Sequence, residues 1–246
     1  MPPCIEILGV PIARLDSEAA LAEIERLYCE DAPASVGYAN AHTLTLASQD
    51  PEYRALLRRL GLVLNDGFGV AIAARMQGQR FPIRNVTDFN PHILTLAAER
   101  GWPAFFLGGR LGVPERAAHQ LKWRIPGLQV VGTRDGYFPP AQVQKVINEI
   151  RDSGAKVLII AMGQPLQELW LDRYLPQTGA RLGVGVGGFL DFSAGVVPRA
   201  PQLMSRLGFE WLYRLRQDPR RLWRRYIVGN PLFLYRVMRE RLTPRS

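Results

Sequence analysis

Polar and glycine residues stand directly after several short apolar runs of this sequence, and their chemistry suggests a reactive crevice. Asp66 could act as a general base, since a carboxylate at a crevice edge can remove a proton from a hydroxyl group. Gly108 and Gly109 could offer backbone N–H groups to a phosphate at the start of a helix. The other residues at such positions are Asn40, Tyr137, Gln164, Gln167, Glu168 and the pair 187–188.

Each of these residues also has a structural interpretation. Asp66 directly precedes a predicted helix and could cap its N-terminus. The pair Gly108 and Gly109 could allow a strand and a helix to pack closely. Gln167 and Glu168 fall in the first turn of a predicted helix, where a carboxylate is favoured by the helix dipole whatever its function. The residues alone leave both interpretations open at each position.

The elements that must position these residues are short strands alternating with helices. Runs rich in Val, Ile and Leu predict strands over residues 5–10, 35–38, 62–64, 104–107, 129–131, 157–161 and 181–186. Helical patterns lie between them at 17–30, 41–60, 67–76, 89–100, 113–123, 140–153 and 165–175. This alternation predicts an α/β fold with a doubly wound, mostly parallel, Rossmann-like sheet. Ligands of such sheets bind beyond the carboxyl ends of the strands.

The pattern changes after Gly188, where no further strand is predicted. Helices are expected near 200–217, 219–228 and 231–242, and residues 206–246 carry eleven Arg against three acidic residues, or +8 of the formal charge of +9. We predict an α/β catalytic domain over 1–195 and a basic helical appendage over 196–246. Such an appendage binds anions, whether lipid head groups, nucleic acid or diphosphates.

Metal and cofactor sites are not expected. The sequence has no Asp-x-Asp pair, and His42, His92 and His119 are scattered without ligand spacing. Clustered Arg can stabilise a departing diphosphate where a metal ion does not. We therefore expect the arginines of the appendage to take over that task.

The location of the protein is expected to be the cytoplasm. Cys4 and Cys29 lack the spacing of a metal site and fit a reducing compartment. The N-terminus has no basic, apolar signal pattern, and no run of about 18 uncharged apolar residues occurs. Membrane contact is therefore expected to be peripheral.

Short motifs in the second half of the chain form an ordered set. They are GQPLQE at 163–168, GGFLD at 187–191, RAP at 199–201, GFEWLYRL at 208–215, DPRR at 218–221 and RY at 225–226. In order and spacing the chain resembles the WecG/TagA/CpsF glycosyltransferases, glycosyltransferase family 26, from Asn40 to Tyr226. The resemblance implies an inverting, metal-independent enzyme that moves N-acetylmannosamine or a related sugar from UDP to an undecaprenyl-diphosphate-linked sugar in bacterial cell-surface polysaccharide synthesis. It also implies peripheral attachment to the inner face of the bacterial plasma membrane.

The resemblance also implies roles for individual residues. Asp66 matches the proposed catalytic base, Arg84 a basic residue of the donor site and Gln167 a polar donor contact. We assign donor binding to Asn40, Arg84, Gly108, Gly109, Tyr137, Gln164, Gln167, Glu168 and Asp191. Binding of the diphosphate or the acceptor is assigned to Arg199, Arg214, Arg221, Arg224 and Arg225.

Two departures from the family pattern bear on the donor sugar. Tyr38 stands where the family usually has Thr, and residues 84–88 lack a Gly of the family motif. Both lie near the expected sugar pocket, so a glucosyl donor is an alternative.

Three hypotheses follow for the function. The leading one is glycosyl transfer with a UDP-sugar, a lipid-linked acceptor and an anionic membrane surface as partners, and without nucleic acid. A nucleic-acid-binding module that uses the Arg and aromatic side chains of the appendage is the second. A nucleotide sensor without catalysis is the third.

Overall fold

One sheet of eight strands forms the centre of the computed structural model, which describes residues 2–82, 86–198, 200–201, 204 and 210–242. The strands are β1 Cys4–Ile7, β2 Val10–Ala13, β3 Ala34–Ala39, β4 Leu62–Asn65, β5 Ala104–Gly108, β6 Val130–Arg134, β7 Val157–Ala161 and β8 Leu182–Gly185. Their order is β1-β2-β4-β3-β8-β7-β5-β6, and every neighbouring pair is parallel except β1 with β2. The predicted α/β fold is confirmed.

Helices cover both faces of the sheet, and most residues of its inner strands are buried. The helices between strands are α1 Ser17–Cys29, α2 Ala41–Gln49, α3 Pro51–Arg59, α4 Phe68–Met76, α5 Val86–Glu99, α6 Val113–Arg124, α7 Val143–Asp152 and α8 Leu166–Tyr174. After β8 come α9 Phe189–Ser193, α10 Glu210–Gln217, α11 Pro219–Trp223, a π-helical turn Arg224–Val228 and α12 Gly229–Leu242. Every residue of β5 and β7 is buried, as is typical of parallel strands covered on both sides.

The first predicted strand, over residues 5–10, is confirmed only for residues 5–7, because an antiparallel hairpin turns at residues 8–9. β1 and β2 are joined by Leu8 and Gly9, whose φ angles are 50° and 78°. Two residues with positive φ are typical of the tight turns whose twist matches the flanking strands. Leu is an unusual residue at such a position, so the sequence pattern hides the turn.

The predicted helix over 41–60 is two helices. The Asp50 side chain accepts hydrogen bonds from the backbone N–H groups of Glu52 and Tyr53, and Pro51 is the first residue of α3. An Asp cap followed by Pro is a helix-start signal. The break predicted at Asp218 is confirmed, since α11 begins directly after it.

The last helix packs against the body of the protein. Phe233 and Val237 in α12 are 0% and 1% exposed and share an apolar cluster with the β1–β2 hairpin. The backbone N–H of Leu8 in the hairpin turn donates to Glu240 Oε2 at 3.0 Å. The division of the chain at residue 195 stays a prediction, but α12 shares a core with the α/β body.

Candidate active site

The carboxyl ends of four neighbouring strands bring predicted site residues to one edge of the sheet. Asp66 follows β4, Asn40 follows β3, Gly187 lies beyond β8 and Gln164 lies beyond β7. Across the sheet these strands stand in the order β4, β3, β8 and β7, although the chain passes through them in another order. The predicted crevice beyond the carboxyl ends therefore has these four residues along it.

The carboxyl group of Asp66 is held by two neighbouring elements. Nδ2 of Asn40 donates to its Oδ2 at 3.4 Å, and the backbone N–H of Val86 donates to its Oδ1 at 3.3 Å. The Asp66 backbone N–H donates to the carbonyl of Ala39 at 2.8 Å. The alternative interpretation of Asp66 as the cap of α4 is wrong, because the residue at that N-cap is Gly67, which has no side chain.

Asn40 is both the N-cap of α2 and the hydrogen-bond partner of Asp66. Its Oδ1 accepts from the backbone N–H groups of His42 and Thr43 at 3.0 and 3.1 Å. These bonds turn Nδ2 toward the crevice, where it donates to Asp66 and, at 3.1 Å, to Oε1 of Gln164. Helix capping therefore fixes which atom of the amide faces the carboxylate.

Gln164 ties the end of β7 to the end of β3. Its Oε1 also accepts from the Thr43 hydroxyl at 2.7 Å, and its Nε2 donates to the carbonyl of Tyr38 at 2.8 Å. Both ends of this side-chain amide are thus engaged. The bonds couple Gln164 to Asn40 and, through it, to Asp66.

Gln167 and Glu168 lie beneath the crevice, and each is 1% exposed. Nε2 of Gln167 donates to Glu168 Oε1 at 2.8 Å, and the Tyr53 hydroxyl donates to Oε2 at 3.2 Å. Burial raises the pKa of Glu168 to about 7, although these donors oppose the shift. Both residues were predicted to contact the donor, and in the structure Gln167 reaches the crevice by accepting the backbone N–H of Gly187 at 3.0 Å.

The glycines after β5 allow three loops to pack together. A Cβ atom at Gly108 would lie 2.3 Å from the carbonyl oxygen of Ala161, and one at Gly109 would lie 2.8 Å from Val113. The Gly109 N–H donates to that same carbonyl at 3.0 Å, and the Gly136 N–H donates to the Gly109 carbonyl at 2.9 Å. These contacts support the packing interpretation, and donor binding by the two glycines stays a prediction.

Two further predicted donor residues lie near these loops. Tyr137, in the loop after β6, is 77% exposed. Asp191 is half-buried in α9, and a Cβ atom at Gly109 would lie 3.9 Å from its Oδ1. Both belong to segments at the carboxyl edge of the sheet, and their contact with a donor also stays a prediction.

Arginines of the C-terminal segment approach elements on two sides of the crevice. The guanidinium carbon of Arg214 lies 4.7 Å from the centre of the Phe192 ring in α9. Burial, and then the positive charge of Arg225, lower the pKa of His42 in α2 to about 4. The segment therefore lies close to both α9 and the start of α2, which carries Asn40.

The positions of the other predicted arginines give less support for a role at the crevice. Arg224 is exposed, with its guanidinium carbon 5.3 Å from the centre of the Trp223 ring. Arg84 and Arg199 lie outside the described residues, as does the side chain of Arg221.

A sequence model of the glycosyl transferase WecG/TagA/CpsF family matches residues 5–246, nearly the whole chain. The chain belongs to this family. It is therefore a transferase that takes a sugar donor and an acceptor, and the family resemblance inferred from the motifs is confirmed. The match also includes the β1–β2 hairpin and α12, which the motifs alone did not cover.

Sequence reasoning missed two residues of the site in this WecG/TagA/CpsF protein. Thr43 follows Asn40 by three residues, and the two form a reciprocal capping box, a signal that was available in the sequence. Tyr53 gave no signal, because it lies inside α3 and meets Glu168 only through the packing of α3 against α8.

Tyr38, a departure from the family pattern, has a structural partner. Its side chain is 2% exposed, and its hydroxyl donates to Oδ1 of Asn90 in α5 at 2.7 Å. The side chain therefore joins β3 to the helix that begins beside Asp66.

Two features are absent from the described part of the chain. Within it, no group of three or more His, Cys, Asp or Glu residues has the arrangement of a metal site. No helix in the same ranges has the length and apolar character needed to cross a bilayer.

Proposed function

We propose that this protein is an inverting, metal-independent transferase that moves a sugar from a UDP-sugar to an undecaprenyl-diphosphate-linked sugar. The donor sugar is of the N-acetylmannosamine type or glucose, and the product enters a bacterial cell-surface polysaccharide. Family membership supports the reaction class. The arrangement of groups at the carboxyl edge of the sheet supports the mechanism described next.

The observation that carries the mechanism is the position of Asp66 beside Asn40 at the carboxyl edge of the sheet. Asp66 removes the proton from the acceptor hydroxyl, the oxygen attacks C1 of the sugar, and the bond from C1 to the diphosphate breaks. A single displacement of this kind inverts the anomeric carbon. Asn40 holds the carboxylate, and Gln164 in turn holds Asn40.

The leaving UDP carries negative charge that must be stabilised as the bond breaks. Arginines placed around the diphosphate stabilise that charge in the transition state. Arg214 beside α9 and Arg225 near His42 flank the crevice from two sides, which supports this assignment. In our proposal Arg199, Arg221 and Arg224 contribute to the same positive field.

The lipid-linked acceptor reaches the crevice from an anionic membrane surface in this proposal. Trp223, Ile227 and Tyr235 are 45%, 53% and 56% exposed. Arg224 and Arg225 lie between the first two in the chain, and Arg236 directly follows Tyr235. Apolar side chains interleaved with basic ones favour the bilayer interface. A basic residue near an anionic surface contributes about 1 kcal/mol, so a few suffice for reversible attachment.

A donor screen tests the proposal. UDP release is measured from UDP-N-acetylmannosamine, UDP-glucose and UDP-N-acetylglucosamine, each with a short-chain polyprenyl-diphosphate sugar. We expect acceptor-dependent release from one of the first two donors, in buffer that contains EDTA. Binding of UDP without release from any donor would instead support a nucleotide sensor, and strict dependence on Mg²⁺ or Mn²⁺ would exclude the metal-independent mechanism.

A further inference from the structure

Glu168 is a buried carboxyl group that the proposed transfer step does not use. It is 1% exposed and lies in the first turn of α8. Nε2 of Gln167 and the hydroxyl of Tyr53 donate to its two oxygens at 2.8 and 3.2 Å. The amide of Gln164 also lowers the pKa of Glu168, by less than these two donors. A buried carboxyl group surrounded by donors suits the ionised state, which accepts hydrogen bonds and donates none.

Glu168 sets the orientation of Gln167. Because Nε2 of Gln167 points at the carboxylate, its Oε1 points at the crevice and accepts the backbone N–H of Gly187. Gly185 leaves room for this amide, since a Cβ atom there would lie 2.9 Å from Nε2. Gly187, with a φ of 55°, forms the turn beyond β8, between the ends of β3 and β7.

Gln164 extends the network to the proposed base. Its Oε1 accepts from Nδ2 of Asn40, and the same Nδ2 donates to Oδ2 of Asp66. If the amide of Gln164 turned over, its NH₂ group would face the NH₂ group of Asn40. The orientation of two glutamine amides thus decides the geometry along the crevice.

We propose that Glu168 is a positioning residue whose ionised carboxylate fixes the amide of Gln167 and so holds the Gly187 turn beside the Asn40–Asp66 pair. This inference rests on the proposed function of Asp66. A protonated Glu168 must donate one hydrogen bond, so Gln167 or Tyr53 loses its acceptor or has to rotate.

The surroundings of Glu168 allow its carboxyl group to gain or lose a proton near neutral pH. Its pKa is raised to about 7, first by burial. The titratable group that faces it from α3 is Tyr53, and its partners in α8 and beyond β7 are the neutral amides of Gln167 and Gln164. The ion pair between Arg59 of α3 and Asp172 of α8 lies at the surface, with its N and O atoms 2.9 Å apart.

The kinetic test compares kcat against pH for the full-length wild type and three variants. We expect wild-type kcat to rise with pH through an ionisation near 7, because the ionised form is the competent one. Glu168→Gln should lower kcat by roughly 10- to 100-fold, the cost of a small misplacement of reacting groups, with little change in donor KM. The rise near pH 7 should disappear, since a Gln side chain does not titrate.

Two further variants, one that shifts the pKa of Glu168 and one control, test the proposal even if Glu168→Gln folds poorly. Tyr53→Phe removes a donor that lowers the pKa of Glu168, so the kinetic rise should move to higher pH. Asp172→Asn breaks the surface ion pair of the same helix and should leave the profile unchanged. An unshifted profile in Tyr53→Phe, or wild-type kcat and profile in Glu168→Gln, would overturn the proposal.

A second readout does not depend on turnover, so failure of the proposed function can be told apart from failure of this inference. Because the pKa of Glu168 is higher in the folded protein than its ordinary value of 4.5, its protonated form stabilises the fold at low pH. Wild-type stability should fall relative to that of Glu168→Gln as pH rises from about 4.5 to about 7. Parallel Tm curves of the two proteins would show that Glu168 does not titrate there, and would contradict the inference.

Discussion

Asp66, Asn40 and Gln164 form a chain of side chains in which each fixes the next. Asn40 donates through one nitrogen to both Asp66 and Gln164, while its oxygen caps α2. Because the cap decides the amide orientation, the geometry of the proposed base depends on the start of a helix as well as on the sheet. A small number of residues therefore fixes the orientation of the polar side chains at this edge of the sheet.

The buried hydrogen bond of the Tyr38 hydroxyl should contribute to the stability of the fold. Tyr38→Phe removes the donor to Oδ1 of Asn90, a residue that is 1% exposed, and leaves a buried acceptor without this bond. We expect the free energy of unfolding to fall by about 1–3 kcal/mol. Urea denaturation measures this, and Tyr235→Phe, at a residue 56% exposed, is the matched control. Equal midpoints for Tyr38→Phe and the wild type would contradict the assigned bond.

Part of the site could be predicted from the sequence, for a physical reason. Asn40, Asp66 and Gln164 each come shortly after an apolar run, and parallel strands bring their carboxyl ends to one edge. The buried position of Glu168 could not be predicted, since its first-turn location is also typical of an exposed carboxylate. Its burial depends on Tyr53, which lies 115 residues away in the chain.

At the scale of elements, the π-helical turn Arg224–Val228 is close enough to α2 to affect a histidine there. The positive charge of Arg225 is the second cause, after burial, of the lowered pKa of His42. Arg225→Gln should therefore raise the pKa of His42 above about 4, while burial keeps it below the ordinary value of 6.5.

NMR titration of the imidazole protons measures this shift. Arg216→Gln, which removes an exposed arginine of α10, serves as the control and should leave the His42 titration unchanged. If the pKa of His42 were the same in Arg225→Gln and the wild type, the turn would not lie near the start of α2. The proposed placement of arginines around the diphosphate would then lose one of the two observations that support it.

The sequence predicts some strands of the sheet more accurately than others. β5 and β7 are buried, apolar runs between helical patterns, and both were predicted to within one residue. The β1–β2 hairpin was missed because its turn, Leu8 and Gly9, interrupts the apolar pattern by a single glycine. Backbone conformation with positive φ at a leucine is set by strand pairing, which a local pattern does not contain.

At the scale of the whole molecule, the C-terminal helix belongs to the core. Phe233→Ala should lower the free energy of unfolding by about 3–5 kcal/mol, the usual cost of removing a buried phenylalanine ring. The reason is that Phe233 is fully buried in the cluster that contains the β1–β2 hairpin. Chemical denaturation measures the change.

Tyr235→Ala is the control for this prediction, because it truncates an exposed aromatic side chain of the same helix. It should change stability by no more than about 0.5 kcal/mol. Similar losses of unfolding free energy in both variants would mean that the effect comes from helix formation and not from the packing of α12 against the body of the protein. If Phe233→Ala were as stable as the wild type, α12 would not be part of the core.

Asp66 is the group proposed to take the proton from the acceptor, and single-turnover transfer by Asp66→Asn tests this role most directly. With EDTA present, we expect the wild type to keep its rate and Asp66→Asn to lose about 10²- to 10⁴-fold, the range for general-base catalysis. The Kd of the donor should stay within a few fold, and the exposed-site variant Asp152→Asn should transfer normally. Transfer by Asp66→Asn at close to the wild-type rate would contradict the mechanism.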